Sequence, residues 1–267
     1  MKKIFLLLVI LLFGVVCTDA KPIEIDYNDG IYHIILKGEK MKKNIKFVSN
    51  DSLITNKEAH QKTGSSLTVN AGYFDPSNGK SISYIVTDRH IAEDPLLNDS
   101  LLSNPALRRN IDKILNRTEF RVVECFDKGK RHYEIVPHKN SVDFDCTVIT
   151  SAQGGPLVYP QLRLEEEFFV VRDEYGEVIR ESCSVLHKTA RTVIGLKGDE
   201  VHILIITDEN PMDLYEVHDY VKKLGLDRAM NFDGGSSTSM NYKKQYEVVS
   251  TKGDGAGRSL KSFMIVK

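Results

Sequence analysis

The hydrophobic and polar positions along the chain predict strands more often than helices. "SLTVNAGYF" (Ser66 to Phe74) and "TEFRVVECF" (Thr118 to Phe126) are rich in β-branched and aromatic residues, the composition of strands. From Arg191 to Asp208, two apolar runs flank Lys197-Gly198-Asp199, which predicts a hairpin turned at glycine. "RAMNF" and the final "SLKSFMIVK" read as further strands. Two segments have helical spacing. In "NPALRRNIDKILNR", Asn104 is a cap, Pro105 occupies the first turn, and Leu107, Ile111, Ile114 and Leu115 share a face. In "DLYEVHDYVKKLG", Asp213 and Glu216 form a capping pair, Leu214, Val217, Val221 and Leu224 make the apolar stripe, and Gly225 ends it. The expected fold class is α+β, with a largely antiparallel, mixed β-sheet covered by α-helices.

The length of 267 residues and a hydrophobic fraction of 41% support one sizeable core, and no repeat or low-complexity linker marks a boundary. One domain from residue 21 to residue 267 is therefore expected. The first twenty residues place two lysines before an apolar run and finish in small residues, a secretory signal pattern with cleavage after Ala20. The alternatives are a retained anchor, for which the run from Ile4 to Val16 is short, and acylation at Cys17, which Val16 disfavours. Export implies an extracytoplasmic, periplasmic or secreted, protein with no stable membrane span after cleavage.

Lys+Arg 36 against Asp+Glu 37 leaves a formal charge of -1, so nothing draws the chain generally to nucleic acid, and an anionic ligand needs a local cationic cluster. Beyond Cys17, Cys125, Cys146 and Cys183 remain; a Cys125–Cys146 bond and three free thiols are both compatible with the spacing. No CxxC pair, HExxH helix or EF-hand loop is present, so no metal or other cofactor is expected, with an assisting divalent cation left open.

Four stretches have the texture of a site. "NFDGGSST" ends a strand in Asp233 and turns through Gly234 and Gly235 into Ser236, Ser237 and Thr238, presenting a carboxylate beside unobstructed backbone and hydroxyls. "NAGYFD" supplies Asn70, Gly72, Tyr73, Phe74 and Asp75; "QGGPLV" supplies Gln153, Gly154 and Gly155; "ARTVIG" supplies Arg191 and Thr192. Each alone also reads as an ordinary turn or strand boundary. The first is no phosphate-binding P-loop, lacking its lysine, and "GDGAGR" lies too near the C-terminus for a dinucleotide-binding unit.

Taken in order, "NAGYF", "QGGPLV", "ARTVIG", an amphipathic helix, "AMNFDGGSST" and a late Gly-Arg resemble the phosphodiester glycosidase family from about Asn70 to the C-terminus. The family commonly reads N-L-D-G-G-G-S where this chain has Phe232 and Ser236, and it tends to carry Asp-Gly where this chain has Asp208-Glu209-Asn210. The resemblance implies hydrolysis of the bond between a sugar anomeric carbon and a phosphodiester, with an α-N-acetylglucosamine-1-phosphodiester-like glycan as substrate. It implies Asp233 as base or nucleophile, Asp75 as second carboxylate, and Arg191 and Arg258 as phosphate ligands. Asn70, Gly72, Tyr73, Gln153, Gly154, Gly155, Thr192, Asn231, Gly234, Gly235, Ser236, Ser237 and Thr238 would bind or orient substrate, with His187 and His202 as possible acid/base helpers. The competing readings are a non-catalytic carbohydrate or cell-wall binding protein with the same pocket, and a phosphodiesterase that breaks the P–O bond.

Overall fold

The computed structural model describes residues 22–126, 129–251 and 255–267; the expected signal segment lies outside them. The predicted hairpin forms as strands Arg191–Lys197 and Glu200–Ile206, with Gly198 in the left-handed region at φ 54°. It occupies the middle of a six-stranded sheet, in the order Ile23–Asn28, Ile31–Leu36, Glu200–Ile206, Arg191–Lys197, Arg228–Asn231, Leu157–Tyr159. Both faces of the hairpin are covered, which explains why its apolar runs are continuous rather than alternating. Ile194, Leu196, Ile203 and Ile205 point into one core, while Val193, Leu204 and Ile206 point into another.

The first core is shared by three sheets. Phe47, Leu67, Val69 and Met264 enter it from a five-stranded sheet ordered Tyr246–Val249, Ser239–Tyr242, Leu67–Asn70, Leu260–Val266, Ile45–Ile54. Phe120, Val122 and Ile135 enter it from another, ordered His90–Glu93, Ile85–Thr87, Cys146–Gln153, Thr118–Cys125, Lys130–Pro137. The second core lies under helix Leu214–Lys223, whose stripe Leu214, Val217 and Val221 packs on the outer face of the hairpin. That helix starts as its sequence predicts: Asp213 accepts from the amides of Tyr215 and Glu216, and the Glu216 carboxylate accepts from the amide of Asp213.

The structure corrects two expectations of layout. Every strand pair among the described residues is antiparallel, so the sheets are not mixed. Strand occupies 43% of the described residues against 17% helix, so helices cover the sheets only locally. The segment read as one helix from Asn104 is instead a turn, a 3-10 turn Arg108–Asn110 and a short helix Ile111–Leu115. Asn104 competes for the backbone there, its side chain accepting from the Ala106 amide. Cys125 and Cys146, cross-strand partners, form a disulfide, leaving Cys183 free.

Candidate active site

The four glycine-bearing stretches meet at the end of strand Arg228–Asn231. Asn70 donates from Nδ2 to the carbonyl oxygen of Asp233 at 2.6 Å, and its Oδ1 accepts from Thr192 Oγ1 at 2.7 Å and from the Ser239 amide at 3.0 Å. The Asp233 amide donates to the Ala71 carbonyl at 3.0 Å, the Phe232 amide to Thr192 at 2.8 Å, and the Gly235 amide to Ala190 at 2.8 Å. The Gly155 amide donates to the Asn231 carbonyl at 2.9 Å, and the Asn231 amide to Pro156 at 3.0 Å. Tyr73 closes the ring, its hydroxyl donating to the carbonyl oxygens of Gly155 and Phe232 at 2.9 and 3.3 Å and accepting from Asn231 Nδ2. Four distant stretches thus spend their backbone and amide groups holding one short loop, which fixes the Asp233 carboxyl.

Gly155 has φ 91°, and a Cβ there would collide with the Glu167 carboxylate. Gly154 is packed as tightly, its missing Cβ lying 2.8 Å from the Asn231 carbonyl oxygen. Gly72 backs onto Ser83, so neither side of the loop's support leaves room for a side chain.

Asp233, Gly234, Gly235 and Ser236 form one wall of a cavity of about 540 Å³. Among the described residues, Asp233 is the only carboxylate that lines it. Burial drives its pKa up from the ordinary 3.8 to about 6, against the opposing pull of the Ser237 hydroxyl, the Arg258 charge and the Gly234 amide. The Gly234 amide donates to Asp233 Oδ1 at 3.0 Å. Ser237 Oγ has no partner at hydrogen-bonding geometry, so its pull is that of a nearby dipole. Thr238 Oγ1 and Asn231 Oδ1, on the same stretch of chain, are likewise buried without a partner.

Three guanidinium groups line the same cavity. Arg258 donates from Nη1 to Ser236 Oγ at 3.0 Å and lies 5.0 Å from the Phe74 ring centre. Arg180 donates to the Phe168 carbonyl at 2.9 Å. Arg117 is 6% exposed, lies flat against Phe169 at 3.8 Å, and makes no ion pair among the described residues. Its hydrogen bonding there is limited to Nε donating to the Glu167 carbonyl, and desolvation lowers its pKa. The Glu167 charge opposes that shift, but its carboxylate is engaged by Thr118 and the Leu157 amide. Cys183 lines the same wall and is exposed to it; desolvation of its thiol is the largest cause raising its pKa to about 11, and it feels the charges of Arg117, Asp233, Arg191 and Arg180.

The structure relocates several expected site residues. Arg191 is 1% exposed and its guanidinium is committed, donating to the carbonyls of Met212, Ser184 and His187 at 2.7–2.9 Å and, more weakly, Cys183. It holds the loop that carries Cys183 and Ser184 rather than facing an anion. Asp75 lies outside the cavity lining, its Oδ1 accepting from the Ser77 amide and hydroxyl in a local turn. Gln153 is buried beneath the site and donates to the carbonyls of Leu115 and Arg117 at 3.0 and 3.2 Å, securing the backbone of Arg117. Thr192 reaches only Asn70. His187 is exposed against Glu181, and His202 pairs with His33 inside the six-stranded sheet, so neither lines the cavity. Phe232 points away into the three-sheet core, 5.9 Å from Phe47.

Sequence reasoning missed Arg117, Arg180 and Cys183, which stand in no glycine-rich stretch. The one available signal was "NRTEF", an arginine set immediately before an apolar strand. Among the described residues no group of three or more His, Cys, Asp or Glu side chains is arranged to hold a metal ion.

The family model described as phosphodiester glycosidase matches residues 63–267. The chain belongs to the phosphodiester glycosidase family. Among solved structures, this chain is similar to the zebrafish N-acetylglucosamine-1-phosphodiester alpha-N-acetylglucosaminidase catalytic domain auto-inhibited by pro-peptide. The two share 13% identity at a TM-score of 0.63, over 93% of this chain and 84% of that one. An exported protein by name from Burkholderia pseudomallei matches at 11% identity and TM-score 0.63, over 88% of this chain and 73% of that chain. A hypothetical protein from Synechocystis matches at 11% and 0.59, over 93% and 64%. No curated protein matches the sequence significantly. Identities this low carry the phosphodiester glycosidase fold and leave the choice of substrate to the side chains in the cavity.

Proposed function

We propose that the protein is an exported hydrolase that cleaves the bond between a sugar anomeric carbon and the phosphate of a sugar-1-phosphodiester, with an α-N-acetylglucosamine-1-phosphodiester-like substrate. The observation that carries this reading is Asp233, the single carboxylate lining a cavity that three guanidinium groups also line. The reaction needs little else. A phosphomonoester leaves readily, so a carboxylate beside the anomeric carbon and cations beside the phosphate meet its main demands.

Arg117 and Arg258 take the phosphate in this reading, with Arg180 contributing charge. Arg191 and Asn70 are positioning residues, the first for the Cys183–His187 loop and the second for the backbone of Asp233. Asp233, with a pKa near 6, is mostly ionised at neutral pH and serves as the base that activates water. Asp233 being the one carboxylate among the described residues that line the wall, the reading is a single displacement by water, with the sugar released in inverted configuration. Ser236 and the backbone of Gly234 and Gly235, which line the cavity beside Asp233, orient the water or the sugar hydroxyls.

The Cys125–Cys146 disulfide supports an oxidising, extracytoplasmic location, since such bonds are uncommon in reducing cytosol. No helix among the described residues is long and apolar enough to cross a membrane.

The test is product analysis with the N-acetylglucosamine-1-phosphodiester of mannose. Free N-acetylglucosamine and mannose-6-phosphate are expected, the sugar appearing first as its β anomer by proton NMR. N-acetylglucosamine-1-phosphate as product would instead make the protein a phosphodiesterase. Binding without any product across a panel of sugar phosphodiesters would make it a binding protein.

A further inference from the structure

The cavity has a side that neither the sugar nor the phosphate accounts for. Leu101, Leu107, Ile114 and Ile82 all line it, and the same four residues belong to one hydrophobic cluster completed by Phe168, Ile111 and Val171. Three of the four come from the segment between Pro95 and Leu115, which joins the strand pair Ile85–Thr87 and His90–Glu93 to strand Thr118–Cys125. The segment is broken into short turns and helices, so little of its apolar surface is used to stabilise itself. Leu101 and Ile114 anchor it, whereas Leu107 remains half-buried at the cavity. Leu96 and Leu97, on the turn leading into the helix of Leu101, are 47% and 71% exposed, so the apolar character runs on to the outer surface.

The wall adjoins the cationic groups directly. The Arg117 amide donates to the Ile114 carbonyl at 3.3 Å, so the residue bearing the buried guanidinium follows one turn after Ile114, and both line the cavity. A phosphate held by Arg117 would therefore direct one ester substituent toward Asp233 and its small, hydroxylated neighbours, and the other along Ile114, Leu107 and Leu101. Four aliphatic side chains offer no hydrogen-bond partner. A second sugar seated there would bury hydroxyls unsatisfied, at a loss of tenfold or more for each.

We propose that the second ester of the substrate is a long aliphatic alcohol, so that the preferred substrate is a sugar-1-phosphate diester of an alkyl or isoprenoid chain. This inference rests on the glycosidase reading above and adds the leaving group to it. The reaction then delivers free sugar and an aliphatic monophosphate: water supplies oxygen to the anomeric carbon, the carbon–oxygen bond to phosphate breaks, and the proton removed from water passes to Asp233.

The experiment compares α-N-acetylglucosamine-1-phosphate diesters of methanol, of mannose through its 6-hydroxyl, and of octanol below its micellar concentration. Each methylene buried against the wall is worth about fourfold in kcat/KM, so the octyl diester is expected to exceed the methyl diester by at least a hundredfold, mainly through KM. The mannosyl diester is expected to fall with methyl. Leu107→Asn and Leu107→Ala, at a position only half-buried, should each narrow the octyl-to-methyl ratio, with unchanged circular dichroism and melting temperature as the folding control.

Equal turnover of the three diesters, or a preference for mannosyl, would overturn the aliphatic leaving group while leaving the glycosidase reading intact. Should none be hydrolysed, the glycosidase reading fails on its own. Calorimetric titration then still decides the wall: tighter binding of octyl than of methyl diester sustains an aliphatic ligand, and equal or absent binding overturns it.

Discussion

Replacing Asp233 by asparagine should make the protein more stable at neutral pH and nearly inactive. The carboxyl titrates at about 6 in the folded chain against an ordinary 3.8, mainly because burial disfavours its charge. A carboxyl that holds its proton more tightly when folded opposes folding once ionised. The opposition is absent below pH 4, grows between pH 4 and 6, and is complete above pH 6. A shift of about two units corresponds to about 3 kcal/mol, and the partial solvent contact of Asp233 reduces the expected value to roughly 1–2 kcal/mol. Asparagine keeps an oxygen for the Gly234 amide and carries no charge, so it removes the penalty without removing that bond.

The assay is urea denaturation of both proteins at intervals from pH 4 to pH 8. The stability difference should start near zero at pH 4, climb through pH 5 and 6, and level off in favour of the variant above pH 7. A difference independent of pH, or a variant less stable than the parent at pH 8, would refute the claim that Asp233 is held in a desolvated site. In the proposed mechanism that cost has a use, since the same burial that opposes folding raises the basicity of Asp233.

The same titration should govern turnover, with kcat/KM of the parent rising through an apparent pKa near 6 and no alkaline counterpart from Asp233; a flat profile between pH 5 and 8 would remove it as the base. Arg191→Met should destabilise by about 3–5 kcal/mol, because it strands a set of buried carbonyls, and a denaturation midpoint close to the parent's would return Arg191 to the list of substrate ligands. Replacing Cys125 and Cys146 together by serine should cost about 3 kcal/mol, as expected for a cross-link over 21 positions, with secondary structure by circular dichroism retained. Gly155→Ala should cost about 2 kcal/mol or more, through both its φ of 91° and the collision with Glu167, and thermal melts give the check.

What the sequence discloses about this site follows from how the site is made. The loop around Asp233 is legible because its construction depends on backbone. Where chains approach within van der Waals range, as Gly154 does to Asn231, only glycine fits, and where carbonyls need fixed donors, Asn70 and Tyr73 supply them. Such demands fall on particular residue types at particular spacings, so they leave marks in "NAGYF", "QGGPLV" and "NFDGG". The helix at Leu214–Lys223 and the Gly198 hairpin are legible for the same reason, being set by caps, period and turn residues close in sequence. The marks do not separate a residue that touches substrate from one that supports the residue that does. Arg191 carries as clear a mark as Asp233, yet its guanidinium spends itself on carbonyls of residues 183–187 and 212. Conversely, Arg117 and Arg180 gain their place from tertiary packing alone, on Phe169 and Phe168, and nothing adjacent to them in sequence needs to be unusual. The apolar wall is obscured differently. Leu107 and Ile114 have the spacing of a helix face, but the chain breaks into turns where Asn104 bonds the Ala106 amide, so residues with a helical period end as the side of a cavity. Ser236 shows the two effects meeting: it replaces a family glycine within the backbone-determined loop, and its hydroxyl accepts from Arg258, tying the loop to a charge that packing alone brings there. The departure from the family's glycine thus gives one of the cavity's cations a hydrogen-bond partner on the loop.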